Sequence, residues 1–112
     1  YPETEILAVG TNSAATNAML RAGADQAATG ENSVSVAAGI ADVIMGPVGI
    51  VIADSMLGEI TPRMALAVGR SRAKRILIPV NLCDNIVVGT YDVPMSKNVQ
   101  NAVEALGPLM KK

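Results

Sequence analysis

The chain has 112 residues, nine Lys and Arg against ten Asp and Glu, and a formal charge of −1. That length fits one domain, and the near-neutral charge removes any bulk electrostatic case for nucleic acid or an anionic membrane surface. Histidine, Phe and Trp are absent, and one cysteine and two tyrosines are present. No imidazole base, Ser–His or Cys–His pair, His-based zinc site or internal disulfide can be built, and a lone thiol fits a reducing cytoplasm.

Half the residues are apolar, so the core must be assembled from Ala, Val, Ile, Leu and Met. Alanines and the ten glycines let helices lie close to a sheet. No apolar run approaches ~18 residues, the length of a membrane span, and no basic patch precedes an apolar stretch as in a signal peptide. The chain opens on Tyr1-Pro2 without Met, which predicts either processing or residues that precede this stretch in the gene product.

In chain order, residues 5–9 form a short apolar run closed by Gly10, the pattern of a buried strand. Thr11, Asn12 and Ser13 are N-cap types, and Ala15, Ala18, Met19 and Ala22 follow at helical spacing up to Gly23, a natural stop. Residues 25–29 are ambiguous, with a very short strand as one reading. The stretch TGENSVSVAAG holds a turn and then either a helix or a weak strand.

DVIM (42–45) predicts a second buried strand ended by Gly46-Pro47. GIVIADSML is apolar nearly all round, and a short buried helix broken by Gly58 is the favoured reading. Thr61-Pro62 is a helix start, with a capping hydroxyl followed by proline at the first helical position. Arg70, Arg72, Lys74 and Arg75 sit at its last turn and exit, beside the negative end of the helix dipole.

RILIPV (75–80) predicts the third strand, with Pro79 marking an edge or a strand end. NLCDN turns, Ile86 to Val88 pair as a hairpin or continue the sheet, and a final helix runs from about Lys97 to Leu106. Short apolar strands alternating with helices predict an α/β fold, three-layered and Rossmann-like, with a mostly parallel sheet covered by helices on both faces. Such a sheet binds ligands at the carboxyl ends of its strands. The candidate loops are therefore 10–13, 30–32, 46–49 and 81–85.

Gly10, Thr11, Asn12 and Ser13 combine backbone N–H groups at a helix start with hydroxyls and an amide, which suits an anion; helix capping explains the same residues. Gly46, Pro47 and Gly49 either let a ligand approach the backbone or make a tight turn, and they match neither the P-loop nor the GxGxxG pattern. Gly30, Glu31 and Asn32 offer a carboxylate and an amide. Glu31 either takes a ribose hydroxyl or serves as a base, or it sits in a first helical turn on the dipole.

Cys83, beside Asn81 and Asp84, lacks a histidine partner and packs best as an ordinary thiol. The basic run is either a phosphate attractor or a solvated helix end. Met45, Met56, Met64, Met95 and Met110 read as core or interface filler. Asp25, Asp42 and Asp54 carry no metal-loop spacing.

The strings GTNSAATNAMLRAGADQAATGENSV and ADVIMGPVGIVIADSMLGEITPRMALAVGRSRAKRILIPVN resemble a family of small bacterial proteins, common in anaerobic Firmicutes and known as a domain of unknown function. The resemblance spans nearly the whole chain, and the blocks GTN, ATGEN, GPxGI, LGEITP and KRILIPxN carry it together. It implies a first strand, a glycine-rich D-G-Q-G-G-G-x-G loop and a helix that this chain lacks. Tyr1-Pro2 would then end that helix, and residues 5–9 would be the second strand. By analogy, Gly10-Thr11-Asn12 stands where dinucleotide-binding units carry an acidic residue, so hydroxyls and an amide there suit a phosphorylated ribose or another anion.

Three functional classes follow. The first is a module binding NAD(P), another nucleotide or a phosphorylated small molecule. The second is a homo-oligomeric scaffold. The third is a small enzyme with Glu31 or Asp84 as acid/base and Cys83 as nucleophile.

Overall fold

Short strands and helices alternate through most of the chain. A computed structural model describes residues 1, 3–80, 85–90 and 93–110. Strand β1 (Leu7–Gly10) leads into helix α1 (Ser13–Arg21), and β2 (Gln26–Thr29) leads into α2 (Glu31–Ile40). Strand β3 (Val43–Pro47) runs into a 3-10 helix (Val48–Val51). Helix α3 (Pro62–Gly69), strand β4 (Lys74–Ile78) and helix α4 (Met95–Met110) follow.

The strands pair as two parallel, two-stranded sheets. In one, Leu7 to Gly10 lie opposite Gln26 to Thr29. In the other, Val43 to Pro47 lie opposite Lys74 to Ile78. The four-residue β2 settles the ambiguous segment at 25–29 as strand.

Local chemistry places the helix ends. Asn12 has extended backbone and its Oδ1 accepts from the Ala15 N–H at 2.9 Å, the geometry of an N-cap. At the far end, the Gly23 N–H donates to Leu20 O at 3.1 Å, and the φ of +119° at Gly23 is the left-handed conformation that stops a helix. Thr61 Oγ1 accepts from the Met64 N–H at 3.1 Å, with Pro62 at the first helical position as its sequence predicts.

TGENSVSVAAG resolves as helix. Val34 and Ala38, four residues apart, turn inward on α2, and Glu31 occupies its first turn. Strand β4 stops at Ile78, just before Pro79, as a strand-ending proline requires.

Three expectations are corrected. Residues 49–57 do not form a helix: the 3-10 turn at Val48–Val51 gives way to successive turns, with φ of 65°, 54° and 55° at Asp54, Met56 and Leu57. Four β-branched residues (Val48, Ile50, Val51 and Ile52) disfavour helix here, and the turns satisfy their backbone locally. The Asp54 N–H donates to Ile60 O at 2.7 Å, and the Ile60 N–H donates to Ser55 O at 3.2 Å.

Residues 86–88 form no strand; the Thr90 hydroxyl closes a turn on Val87 O at 2.6 Å. The last helix starts earlier and runs past Gly107-Pro108 to Met110, where Thr4 Oγ1 meets Met110 Sδ at 3.5 Å.

The main apolar cluster is Ile60, Met64 and Ala65, with Val34, Ile50 and Met56 packed against it. Among the described residues, Ala8, Ala38, Val68, Ala73 and Ala102 are also buried. Met56 and Met64 fill the core as expected, whereas Met45 and Met95 are exposed. No helix among the described residues is long and apolar enough to cross a membrane.

Candidate functional site at the carboxyl ends of the strands

Loops 10–13, 30–32 and 46–49 each leave the carboxyl end of a parallel strand. The first two are joined directly. Gly10 and Thr29 are partners in the β1–β2 register, and the Gly30 N–H donates to Gly10 O at 3.0 Å.

Close packing requires glycine at position 10. A Cβ there would overlap the Thr16 hydroxyl and fall 2.7 Å from Thr16 N and 3.0 Å from Asn12 O. Thr16 is the buried polar residue behind this loop. Its Oγ1 lies 3.0 Å from Asn12 O, 3.3 Å from Ala28 O and 2.8 Å from Thr29 Oγ1. The hydroxyl has one proton to give, so it donates to one of these acceptors and can accept from Thr29. The α1 turn is thereby tied to the end of β2.

Asn12 is fully engaged. Its Oδ1 caps α1, and its Nδ2 donates to Glu59 Oε1 at 3.1 Å, with Thr11 Oγ1 at 3.5 Å. Thr11 is half-buried and Ser13 exposed, so their hydroxyls and the first N–H groups of α1 are the polar groups that this loop presents.

In the second loop, Gly30 has φ +100° and ψ 179° and begins α2 without a side-chain cap. Ser33 Oγ donates to Thr29 O at 3.0 Å across this turn. Glu31 Oε1 stands 3.5 Å from the Nε of the exposed Arg63, joining the starts of α2 and α3, while Asn32 is exposed.

The third loop is a tight turn packed on itself. Gly49 is buried, its carbonyl accepts from Ser55 Oγ at 2.5 Å, and a Cβ there would lie 3.1 Å from the same oxygen. A Cβ on Gly46 would press Ile50 Cδ1 at 3.0 Å, and Pro47 closes β3.

The structure thus pairs Gly10 with Gly30 and Asn12 with Glu59 through two separate hydrogen bonds, with Thr16 standing between Asn12 and the end of β2. Gly46, Pro47 and Gly49 are built into their own turn, whose distal end supplies Glu59. Asn81, Cys83 and Asp84 lie outside the described residues.

A family model described as a domain of unknown function, DUF3842, matches residues 1–111. The chain belongs to the DUF3842 family. No curated protein and no solved structure matches it.

Two residues of this DUF3842 site escape a reading along the chain. Thr16 reads as one more small residue on an alanine-rich helix; its spacing of four from Asn12 is the signal that places its hydroxyl under the cap. Glu59 carries no local signal, because it reaches Asn12 across 47 positions of sequence.

Of the basic run, Arg75 serves the helix end. Arg75 Nη1 donates to Ser71 O at 2.8 Å and lies 3.3 Å from Ala73 O and 3.4 Å from Val68 O, close to the α3 C-terminus. A depression of ≈ 370 Å³, bordered by Ser35, Gly39, Arg70, Ser71 and Arg72, lies toward the C-terminal ends of α2 and α3, away from the loops. Among the described residues, no group of three or more acidic, Cys or His residues could hold a metal ion.

Proposed function

We propose that this DUF3842 protein binds a nucleotide or another phosphorylated small molecule on a three-layer, Rossmann-like frame, at the loops after β1 and β2. The observation that carries this reading is the Gly30-to-Gly10 bond, which joins two strand-end turns that each open a helix. Helix starts favour an anion, since their first N–H groups and the helix dipole point toward it.

Because Asn12 is held by Ala15 and Glu59, contacts to the ligand fall to Thr11, Ser13, Asn32 and the backbone of Gly10 and Gly30. Glu31 sits beside them and takes a hydroxyl of the ligand in exchange for its exposed pairing with Arg63. Isothermal titration against NAD, NADP, flavin mononucleotide and ATP tests the reading. Binding tighter than about 1 mM, near 4 kcal/mol, is expected for at least one ligand, and its absence for all four removes the proposal.

A second reading, a homo-oligomeric scaffold, is favoured by one observation. Val36 and Ile40, four apart on α2, and Leu66 on the adjoining α3 are exposed. Light scattering on eluted protein decides it, and a monomer at all accessible concentrations counts against a scaffold.

A further inference from the structure

We infer that two copies of the chain pair through α2 and α3 about a two-fold axis, the helices of one copy antiparallel to those of the other. Arg70 and Arg72 of each protomer then stand at the rim of its partner's loop 30–32 and give that loop cationic groups. The role of the arginines rests on the ligand reading above, whereas the pairing does not.

The face is defined by what α2 and α3 leave outside. Val34 and Ala38 turn inward on α2, as Met64, Ala65 and Val68 do on α3. Helical spacing then puts Ser35, Val36 and Ile40 on the outer side of α2, and Arg63, Leu66 and Arg70 on that of α3. Val36, Ile40 and Leu66 are each more than half exposed. An open depression between the helices runs past Ser35, Ala67 and Arg70, so a neighbouring helix can approach closely.

The two helices lie side by side and point the same way. Glu31 and Arg63 join their starts, and about two turns further on Ser71 Oγ donates to Ala38 O at 2.6 Å. Val36 is therefore level with Leu66 midway, and Ile40 with Arg70 to Arg72 at the far end. Charge along the face is unequal. At the start, Glu31 balances Arg63. At the end, Arg70 and Arg72 are exposed, and neither has a carboxylate partner among the described residues.

That polarity selects the pairing. A two-fold axis sets the same patch of both copies together. Parallel helices would place Arg70 and Arg72 against their own counterparts and align the helix dipoles, and antiparallel helices bring opposite ends together. With the axis near Ser35 and Leu66, the apolar side chains cover one another and the partner's Arg70 and Arg72 come level with Glu31. There they meet one carboxylate already engaged by Arg63, beside the positive ends of α2 and α3. A phosphate group at Gly30 and Asn32 would balance that positive excess. Within one chain, the cation beside this loop is Arg63, and Glu31 takes it up.

The molecule also has the area to bury. Its accessible surface is 7536 Å², roughly 1,700 Å² above the ~5,800 Å² of a folded monomer of this mass. A standard interface takes about 800 Å² from each partner.

Sedimentation velocity without ligand compares the wild type with Glu31→Arg, with Arg70→Glu plus Arg72→Glu, and with all three changes together. Urea stability should hold throughout, because the one ion pair lost is a surface pair. The wild type should dimerise. Either partial set should weaken association about tenfold or more, since like charges then meet twice across the axis. All three together should restore it, the charges having exchanged ends. A monomeric wild type, a partial variant that associates like wild type, or a triple variant that stays dissociated overturns the pairing. Association indifferent to these charges, as through the exposed Met95, Val99 and Val103 of α4, overturns it too.

Inorganic pyrophosphate then probes the rim by calorimetry. The wild-type dimer should bind it, and the triple variant, equally dimeric but with carboxylates at that rim, about tenfold or more weakly. By linkage, pyrophosphate should also tighten wild-type association. Equal affinity in the two, or no binding by wild type, overturns the role of Arg70 and Arg72. The ligand-free arms do not depend on the nucleotide titration, so loss of the ligand reading and loss of the pairing show separately.

Discussion

At the scale of single residues, two glycines make opposite predictions. Gly10 has no room for a Cβ, because Thr16 and its backbone fill that space. Gly10→Ala should therefore destabilise the fold by about 1–3 kcal/mol, the usual cost of forcing extra volume into a packed site. Gly39 lies inside α2 with nothing within 4 Å of an added Cβ. Gly39→Ala should stabilise by about 0.5–1 kcal/mol, through the lower entropy cost of ordering Ala in a helix. Urea denaturation of both variants checks the pair, and equal effects would contradict the packing at Gly10.

Asn12 separates capping from binding. Asp caps a helix as well as Asn does, but its carboxylate would replace the Nδ2 donor and face Glu59, so Asn12→Asp should lose up to ~1 kcal/mol, much as Asn12→Ala should through the lost cap. An added carboxylate beside Glu59 would nonetheless repel an anionic ligand. Nucleotide affinity should then fall about tenfold or more in Asn12→Asp, for an added repulsion of ~1.4 kcal/mol, while Asn12→Ala, of similar stability, keeps its affinity. Titration calorimetry reads the affinity and urea unfolding the stability.

At the scale of elements, the 48–60 segment is where local preference and tertiary packing part. Its apolar residues suit burial in either a helix or a turn, and the chain takes turns because Ser55 can reach Gly49 O and Asp54 can reach Ile60 O. Leu57 stands fully exposed at a φ of 55°. For an L-residue that conformation costs about 1–2 kcal/mol, and Asn tolerates it better. Leu57→Asn should accordingly raise the thermal midpoint, by ~0.5–1 kcal/mol at that midpoint. A lower midpoint in calorimetry would argue against a left-handed turn.

The elements legible in sequence are those with a local cause. Thr61-Pro62 starts α3, Asn12 and Gly23 bound α1, and Pro79 follows the end of β4. The far end of α4, by contrast, depends on distant partners. The final turn of α4 persists beyond Pro108 because Tyr1 and Thr4 pack there, more than a hundred residues away in sequence. The candidate loops were legible as strand-end turns for the same local reason. The engagement of Asn12 by Glu59 was not, because spacing along a chain carries no information about a contact across 47 residues.

At the scale of the whole molecule, exposed apolar surface is the dominant physical fact. Ile40 and Leu66 are 71 % and 57 % exposed on helices that touch each other. Hydrophobic burial contributes roughly 25 cal/mol per Å², so helices carrying such residues gain by covering them. Self-association through α2 and α3 would cover this surface while leaving the carboxyl-end loops open. Because neither side chain contributes much to the interior, Ile40→Lys combined with Leu66→Lys should change unfolding stability by no more than ~0.5 kcal/mol each. The pair of like charges should nevertheless shift the protein to monomer at concentrations where wild type associates. Light scattering after size exclusion makes the comparison. If wild type and double variant elute with the same mass, α2 and α3 do not form an interface.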